Sequence, residues 1–206
     1  MSEENSGLIR INNAVLSFAT LAKPEPFAPG QVEKYSCDFI MPPEDQAFVS
    51  FYETAIDLLR QRFPQKFDGI LKMINDTRKL RCYGHGGERL KQSDGSIYKG
   101  YEGKVYISAN STERPSYYDS DGTELMNVGK LYGGCLVNAM VKPWLQDNKY
   151  GKAIRCDLLA VQFAGDGERL GVGRVDTSGM FGAVPGAPAP TADTGGVDGP
   201  TSGFQF

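Results

Sequence analysis

Apolar and polar residues alternate with the two-residue period of β-strands in five separate segments. Leu8 to Phe18 is β-rich and mixed in polarity. Glu33 to Met41 places Tyr35, Cys37, Phe39 and Met41 on one face, and Pro42-Pro43 ends it, because proline has no N–H to give to a ladder. Lys104 to Asn110 sets Val105, Ile107 and Ala109 against Lys104, Tyr106, Ser108 and Asn110 on the opposite face. Gly134 to Leu145 and Lys152 to Phe163 follow, separated by a turn over residues 147–151. Within the former, Val137, Ala139 and Val141 form an interior face, whereas Asn138, Met140, Lys142 and Trp144 share the other. Five strands of this kind are what a small closed barrel needs.

Between the second and third strands the period changes to that of a helix. Glu44-Asp45 suit the positive end of a helix dipole, and Phe48, Phe51 or Tyr52, Ala55, and Leu58 or Leu59 then recur on one face. Pro64 interrupts, and a second amphipathic stretch carries Phe67, Ile70, Leu71 and Ile74, so a helical insertion is expected over about 43–78. Residues 84–100 are Gly-rich and polar and read as a long exposed loop. After residue 175 the pattern ends. Residues 176–206 contain 7 Gly and 4 Pro, a composition that predicts a flexible, disordered tail, yet the terminus carries Phe204 and Phe206. A domain over 1–175 and a tail over 176–206 follow from that boundary.

Composition then narrows the function. No apolar run approaches the roughly 18–20 residues of a transmembrane helix, and the acidic N-terminus is not a secretory signal. The chain is expected to act away from membranes. Cys37, Cys82, Cys135 and Cys156 are widely spaced and suit reduced thiols in a cytoplasmic protein. The net charge of −3 conceals a gradient: residues 1–59 hold 3 basic and 9 acidic side chains, and residues 60–114 hold 12 and 6. The basic middle is interleaved with tyrosine, as Arg78-Lys79, Arg81, Tyr83, Arg89, Lys91, Tyr98-Lys99, Tyr101, Lys104 and Tyr106. Cations that track phosphates and rings that stack on bases are what a groove for single-stranded nucleic acid requires. Trp144, the one tryptophan, shares a strand face with Lys142 and suits either base stacking or capping of the barrel end.

Catalytic and metal chemistry has less support. His85 is the single histidine, Cys82 to His85 has a loosely metal-like spacing without a second ligand pair, and no phosphate-binding loop follows Gly84. No metal or other cofactor and no enzymatic activity are expected. Two alternatives stay open: a metal-dependent DNA-processing enzyme using acids such as Asp38, Glu102 and Asp119, and a structural or adaptor protein acting through its tail.

Several segments together resemble a known family. These are Tyr35-Ser-Cys-Asp-Phe-Ile-Met41, Tyr98-Lys-Gly-Tyr-Glu-Gly-Lys-Val-Tyr-Ile-Ser-Ala-Asn110, Arg114-Pro115, Tyr132-Gly-Gly-Cys-Leu-Val137 and Asp157-Leu-Leu-Ala-Val-Gln162. Their order over residues 8–175 is similar to that of bacteriophage single-stranded DNA-binding proteins first catalogued as a domain of unknown function. That family is more distantly similar to the single-strand binder of T7-like phages. The resemblance implies a five-stranded OB-fold barrel that coats single-stranded DNA in replication, recombination and repair, in the cytoplasm of the infected bacterial host. It implies a tail whose terminal aromatics, here Phe204 and Phe206, dock replication proteins; with only Asp176, Asp193 and Asp198, this tail departs from the acidic pattern of such proteins. Combined with the residues, it makes Tyr83, Tyr98, Tyr101, Tyr106 and Trp144 the stacking candidates. Arg81, Arg89, Lys99, Lys104 and Lys142 are the phosphate candidates. Monomer and dimer fit the sequence equally.

Overall fold

A computed structural model describes residues 7–149 and 151–171. Seven strands occur there: β1 (Ile9–Glu25), β2 (Lys34–Met41), β3 (Tyr83–His85), β4 (Val105–Ser111), β5 (Ser116–Tyr118), β6 (Leu136–Asn148) and β7 (Gly151–Gly165). β1 pairs antiparallel with β2 and β6, β2 with β4, and β6 with β7. A parallel pairing of β4 with β7 at Asn110 and Asp157 closes the ring. The barrel therefore consists of β1, β2, β4, β6 and β7, and its parallel closure between the third and fifth barrel strands is the OB arrangement. The short strands β3 and β5 add to β4 and β7 respectively. At three residues each, neither is long enough to leave a periodic signal.

The alternation in the sequence fills the barrel as expected. Val105, Ile107 and Ala109 of β4 and Val137, Ala139 and Val141 of β6 are buried in one core with Ile11, Leu16, Phe39, Ile154 and Val161. Strand β2 differs from its half-exposed pattern, because every residue from Cys37 to Met41 is buried. Its second face is covered by the chain that leads into β4: Ile40 packs with Tyr101 and Tyr106 in a separate small cluster.

Two helices, α1 (Gln46–Arg62) and α2 (Phe67–Asp76), fill the predicted insertion. Asp45 caps α1, its carboxylate accepting from the Ala47 N–H at 2.8 Å. Phe51, Ala55 and Leu59 are the buried stripe of α1, and Ile70 and Ile74 that of α2. Helix α1 lies against β1 and β6 and also reaches β4, and its rings cover Tyr83 of β3.

The segment expected to be an exposed loop is an ordered flap. Gly86 N–H donates to Lys104 O at 2.7 Å, Tyr98 N–H to Arg89 O at 2.8 Å and Lys91 N–H to Ser96 O at 2.8 Å, which makes residues 89–98 a small hairpin. Its tip, residues 92–96, is exposed, and so is Leu90, whereas Arg89, Ile97 and Tyr98 are half-buried. All four cysteines are buried and free, and burial pushes their thiols up, Cys82 to about 12 and Cys135 to about 11. They stay protonated and packed as small apolar side chains. The predicted tail, with Phe204 and Phe206, lies outside the described residues.

Candidate functional site

A groove of about 1380 Å³ runs along the β1–β2–β4 flank. One wall is the 89–98 hairpin. The other comprises the β1–β2 connection and the distal arm of the β6–β7 hairpin. Cations line it from several elements: Lys34 at the start of β2, Arg78, Lys79 and Arg81 after α2, Arg89 and Lys91 on the flap, and Arg155 on β7. Asp38 and Glu88 are the acids of the lining, so seven positive charges face two negative ones, an excess of five.

Both acids are engaged by cations of the same lining. Asp38, on β2, is buried and forms an ion pair with Arg89. Its other contacts are the Tyr101 hydroxyl, donating at 2.7 Å, and the Ser108 hydroxyl, also donating at 2.7 Å. Burial pushes the Asp38 carboxyl up from its ordinary value, and the Arg89 guanidinium is the principal effect pulling it back. Arg89 also lies 4.3 Å over the Tyr106 ring and donates to Ser108 Oγ at 2.7 Å. Arg81 makes a two-pronged contact with Glu88, at 2.9 Å on each oxygen, and donates to Tyr83 O at 2.7 Å. Setting Arg89 against Asp38 and Arg81 against Glu88 leaves Lys34, Arg78, Lys79, Lys91 and Arg155 as the groove's surplus cations, with Arg78 also 3.9 Å from Glu88.

Aromatic rings are held at the same surface. Trp144, on β6, is 38% exposed, and its indole N–H donates to Asp157 Oδ1 at 2.8 Å, which fixes the plane of the ring. Arg155 stands opposite it across the β6–β7 ladder and is anchored by bonds to Gln146 Oε1 at 3.1 Å and Lys79 O at 3.0 Å. A cation and an open indole are thus set side by side on neighbouring strands. Tyr98 is half-buried on the flap and meets Phe18 of β1 edge-on at 4.9 Å between ring centroids.

The structure brings Arg81, Arg89, Tyr98, Tyr106 and Trp144 together at the groove and places the other named residues elsewhere. Tyr101 is completely buried, with its hydroxyl on Asp38. Tyr83 is buried under α1 among the rings of Phe48, Phe51 and Tyr52. Neither ring has a face for a base, so the stacking assignment is corrected for both. Tyr106 borders the groove but is almost wholly buried beneath Arg89. Lys99 is paired with Glu168 at 2.6 Å, Lys104 is exposed on the approach to β4, and Lys142 is half-buried on β6; none of these three lines the groove.

Sequence reasoning missed Lys34 and Arg155 and did not single out Arg78, Lys79 and Lys91 from the basic run that contains them. Arg155 had a signal: pairing the two strands about their predicted turn sets it across from Trp144. Phe18 and Phe27, 46% and 67% exposed, were also missed; both border the groove.

The proposed nuclease acids do not converge. Asp38 is bound to Arg89, Glu102 accepts from the Gly100 N–H at 3.0 Å, and Asp119 pairs with Lys130. Among the described residues no group of three or more His, Cys, Asp or Glu side chains is placed to hold a metal. No described helix is long and apolar enough to cross a membrane.

An OB barrel carrying a groove with surplus cations and fixed aromatic rings defines an oligonucleotide-binding class of protein. Comparison with known proteins makes this specific. Residues 8–188 match the family described as the single-stranded DNA-binding protein of Enterobacter phage Enc34, and the chain belongs to that family. The chain is 30% identical over 169 residues to a putative protein, p50, of Acyrthosiphon pisum secondary endosymbiont phage 1, covering 81% of this chain and 88% of that protein. Its structure is similar to the single-stranded DNA-binding protein of bacteriophage Enc34 in complex with single-stranded DNA, with a TM-score of 0.56 and 26% identity. That match covers 81% of this chain and 91% of the other. The fold is also that of gp2.5, a single-stranded DNA-binding protein of bacteriophage T7, at a TM-score of 0.51 and 12% identity over 93% and 98% of the two chains.

Proposed function

We propose that this phage protein binds single-stranded DNA along the groove, without sequence preference and without catalysis. The observation that carries this reading is the groove's charge after its internal pairs are removed: five cations remain beside exposed, fixed rings. Cations spaced along an open channel neutralise phosphates of any sequence, and ring faces stack on any base. Side chains that would read base edges are not needed for such binding. Family membership supports the same substrate. The protein then serves DNA replication, recombination and repair in the cytoplasm of the infected host, and Phe204 and Phe206 dock replication proteins.

Counterion release gives a quantitative test. If the five surplus cations each neutralise one phosphate, log affinity for oligo-dT falls with log salt at a slope of about −3.5, from about 0.7 per phosphate. Fluorescence anisotropy of a labelled oligo-dT across a sodium chloride series measures it. Lys79→Ala with Lys91→Ala is expected to make the slope shallower by about 1.4. A salt-independent affinity, or none at all, would overturn the proposal.

A further inference from the structure

Strand β1 shifts register at three places, and the two that fall at left-handed residues are built from very different side chains. Between Ile11 and Ala14 its register against β6 shifts at Asn13, which has a φ of 51°. Asparagine tolerates that left-handed conformation, and the Asn13 N–H donates to Asn138 Oδ1 at 3.0 Å. Between Ser17 and Thr20 the register against β2 shifts again, and here Phe18 has a φ of 45°. A bulky side chain is strained in that region, where glycine or asparagine is the usual occupant.

The bulge changes where the ring goes. With undisturbed alternation Phe18 would follow Ala14 and Leu16, both buried in the barrel core. Instead Ser17 is buried and Phe18 is 46% exposed. The chain is pinned just before the bulge by reciprocal bonds, Leu16 N–H to Cys135 O at 2.9 Å and Gly134 N–H to Leu16 O at 2.7 Å, so the turn-out begins at a fixed point. The ring arrives in the groove edge-on to Tyr98 at 4.9 Å, with the Arg89 guanidinium 5.6 Å from its centroid. Burial does not account for a strained phenylalanine left half in solvent. A ligand with a flat apolar face does.

We infer that Phe18 is a base-stacking residue, turned out of the barrel interior by a strained bulge, and that the chain gives up stability at this position to present it. This rests on the reading of the groove as a single-stranded DNA site. Bulges that redirect one side chain next to a binding site are a known use of this distortion.

Three variants at one position separate stacking from folding. Phe18→Ala and Phe18→Gly both remove the ring, and each is expected to weaken oligo-dT binding by about 5- to 150-fold, the effect of one lost base stack. Phe18→Tyr keeps a flat ring and is expected to retain the affinity. Thermal melting then reads the backbone. Glycine ordinarily weakens a strand relative to alanine, but at a φ of 45° glycine is unstrained and alanine is not, so Phe18→Gly is expected to melt above Phe18→Ala. Wild-type affinity in both ring-less variants, or an alanine variant melting at or above the glycine one, overturns the inference and leaves the groove reading standing. Failure of the wild type to bind oligo-dT overturns both.

Discussion

Replacement of Asp38 by alanine is expected to destabilise the protein by about 3–5 kcal/mol, because it removes one member of a buried ion pair and leaves the other. Arg89 would then lie over Tyr106 with no countercharge, and the Tyr101 and Ser108 hydroxyls would each lose an acceptor. The loss comes from the stranded charge more than from the worth of the pair. Asp38→Ala combined with Arg89→Met is therefore expected to recover part of it. Urea unfolding at neutral pH measures both variants, and a double variant no better than the single one would contradict this assignment. The same carboxyl predicts a pH effect. Burial raises its folded value above the ordinary 3.8, so the folded chain holds this proton when the unfolded chain has released it. The stability from that difference is complete below the ordinary value and is lost as pH rises through the folded one. Asp38→Asn abolishes this dependence.

A second large effect is expected at Gly86. A Cβ there would overlap the carbonyl oxygen of Tyr101 and lie 2.6 Å from its carbonyl carbon, and main chain cannot yield as a side-chain tip can. The same residue donates its N–H to Lys104 O. Gly86→Ala must therefore separate the start of the flap from its end, which withdraws Tyr101 from Asp38 and carries Arg89 and Tyr98 away from the groove. We expect a loss of about 3 kcal/mol or more, the upper range of overpacking, and a collapse of affinity for oligo-dT. Gly87, the next residue, has no atom within 4 Å of where its Cβ would stand, so Gly87→Ala is expected to change stability by less than about 0.5 kcal/mol. Equal melting of the two variants would show that the close approach at Gly86 has no energetic weight.

The same flap explains what could and could not be read from the residues. Barrel positions were legible because burial on one face leaves a two-residue rhythm, as in Val137, Ala139 and Val141. The first helix was legible because Pro42-Pro43, Asp45 and the Phe51–Ala55–Leu59 stripe agree on its start and its buried face. The tyrosines were not. Tyr101 and Tyr106 sit in a run of cations and polar residues that looks solvated, and only the fold-back of residues 86–104 buries them against Ile40. Arg81 and Arg89, expected to meet phosphates, line the groove, but the acids that neutralise them, Glu88 and Asp38, come from the flap and from β2. Local charge density locates a site; the pairing that decides which charges are free is long-range. Phe18 illustrates the limit most sharply, since alternation assigns it to the interior and a bulge sends it out.

The central claim is that single-stranded DNA occupies this groove, and the lone tryptophan reports on it directly. Trp144 is exposed at the groove wall with its indole fixed on Asp157. Titration of the protein with oligo-dT is expected to quench its emission to saturation, in step with the anisotropy rise of a labelled strand, while matching duplex gives a weaker response. A rise in anisotropy with unchanged Trp144 emission would place the DNA elsewhere on the protein and contradict the account.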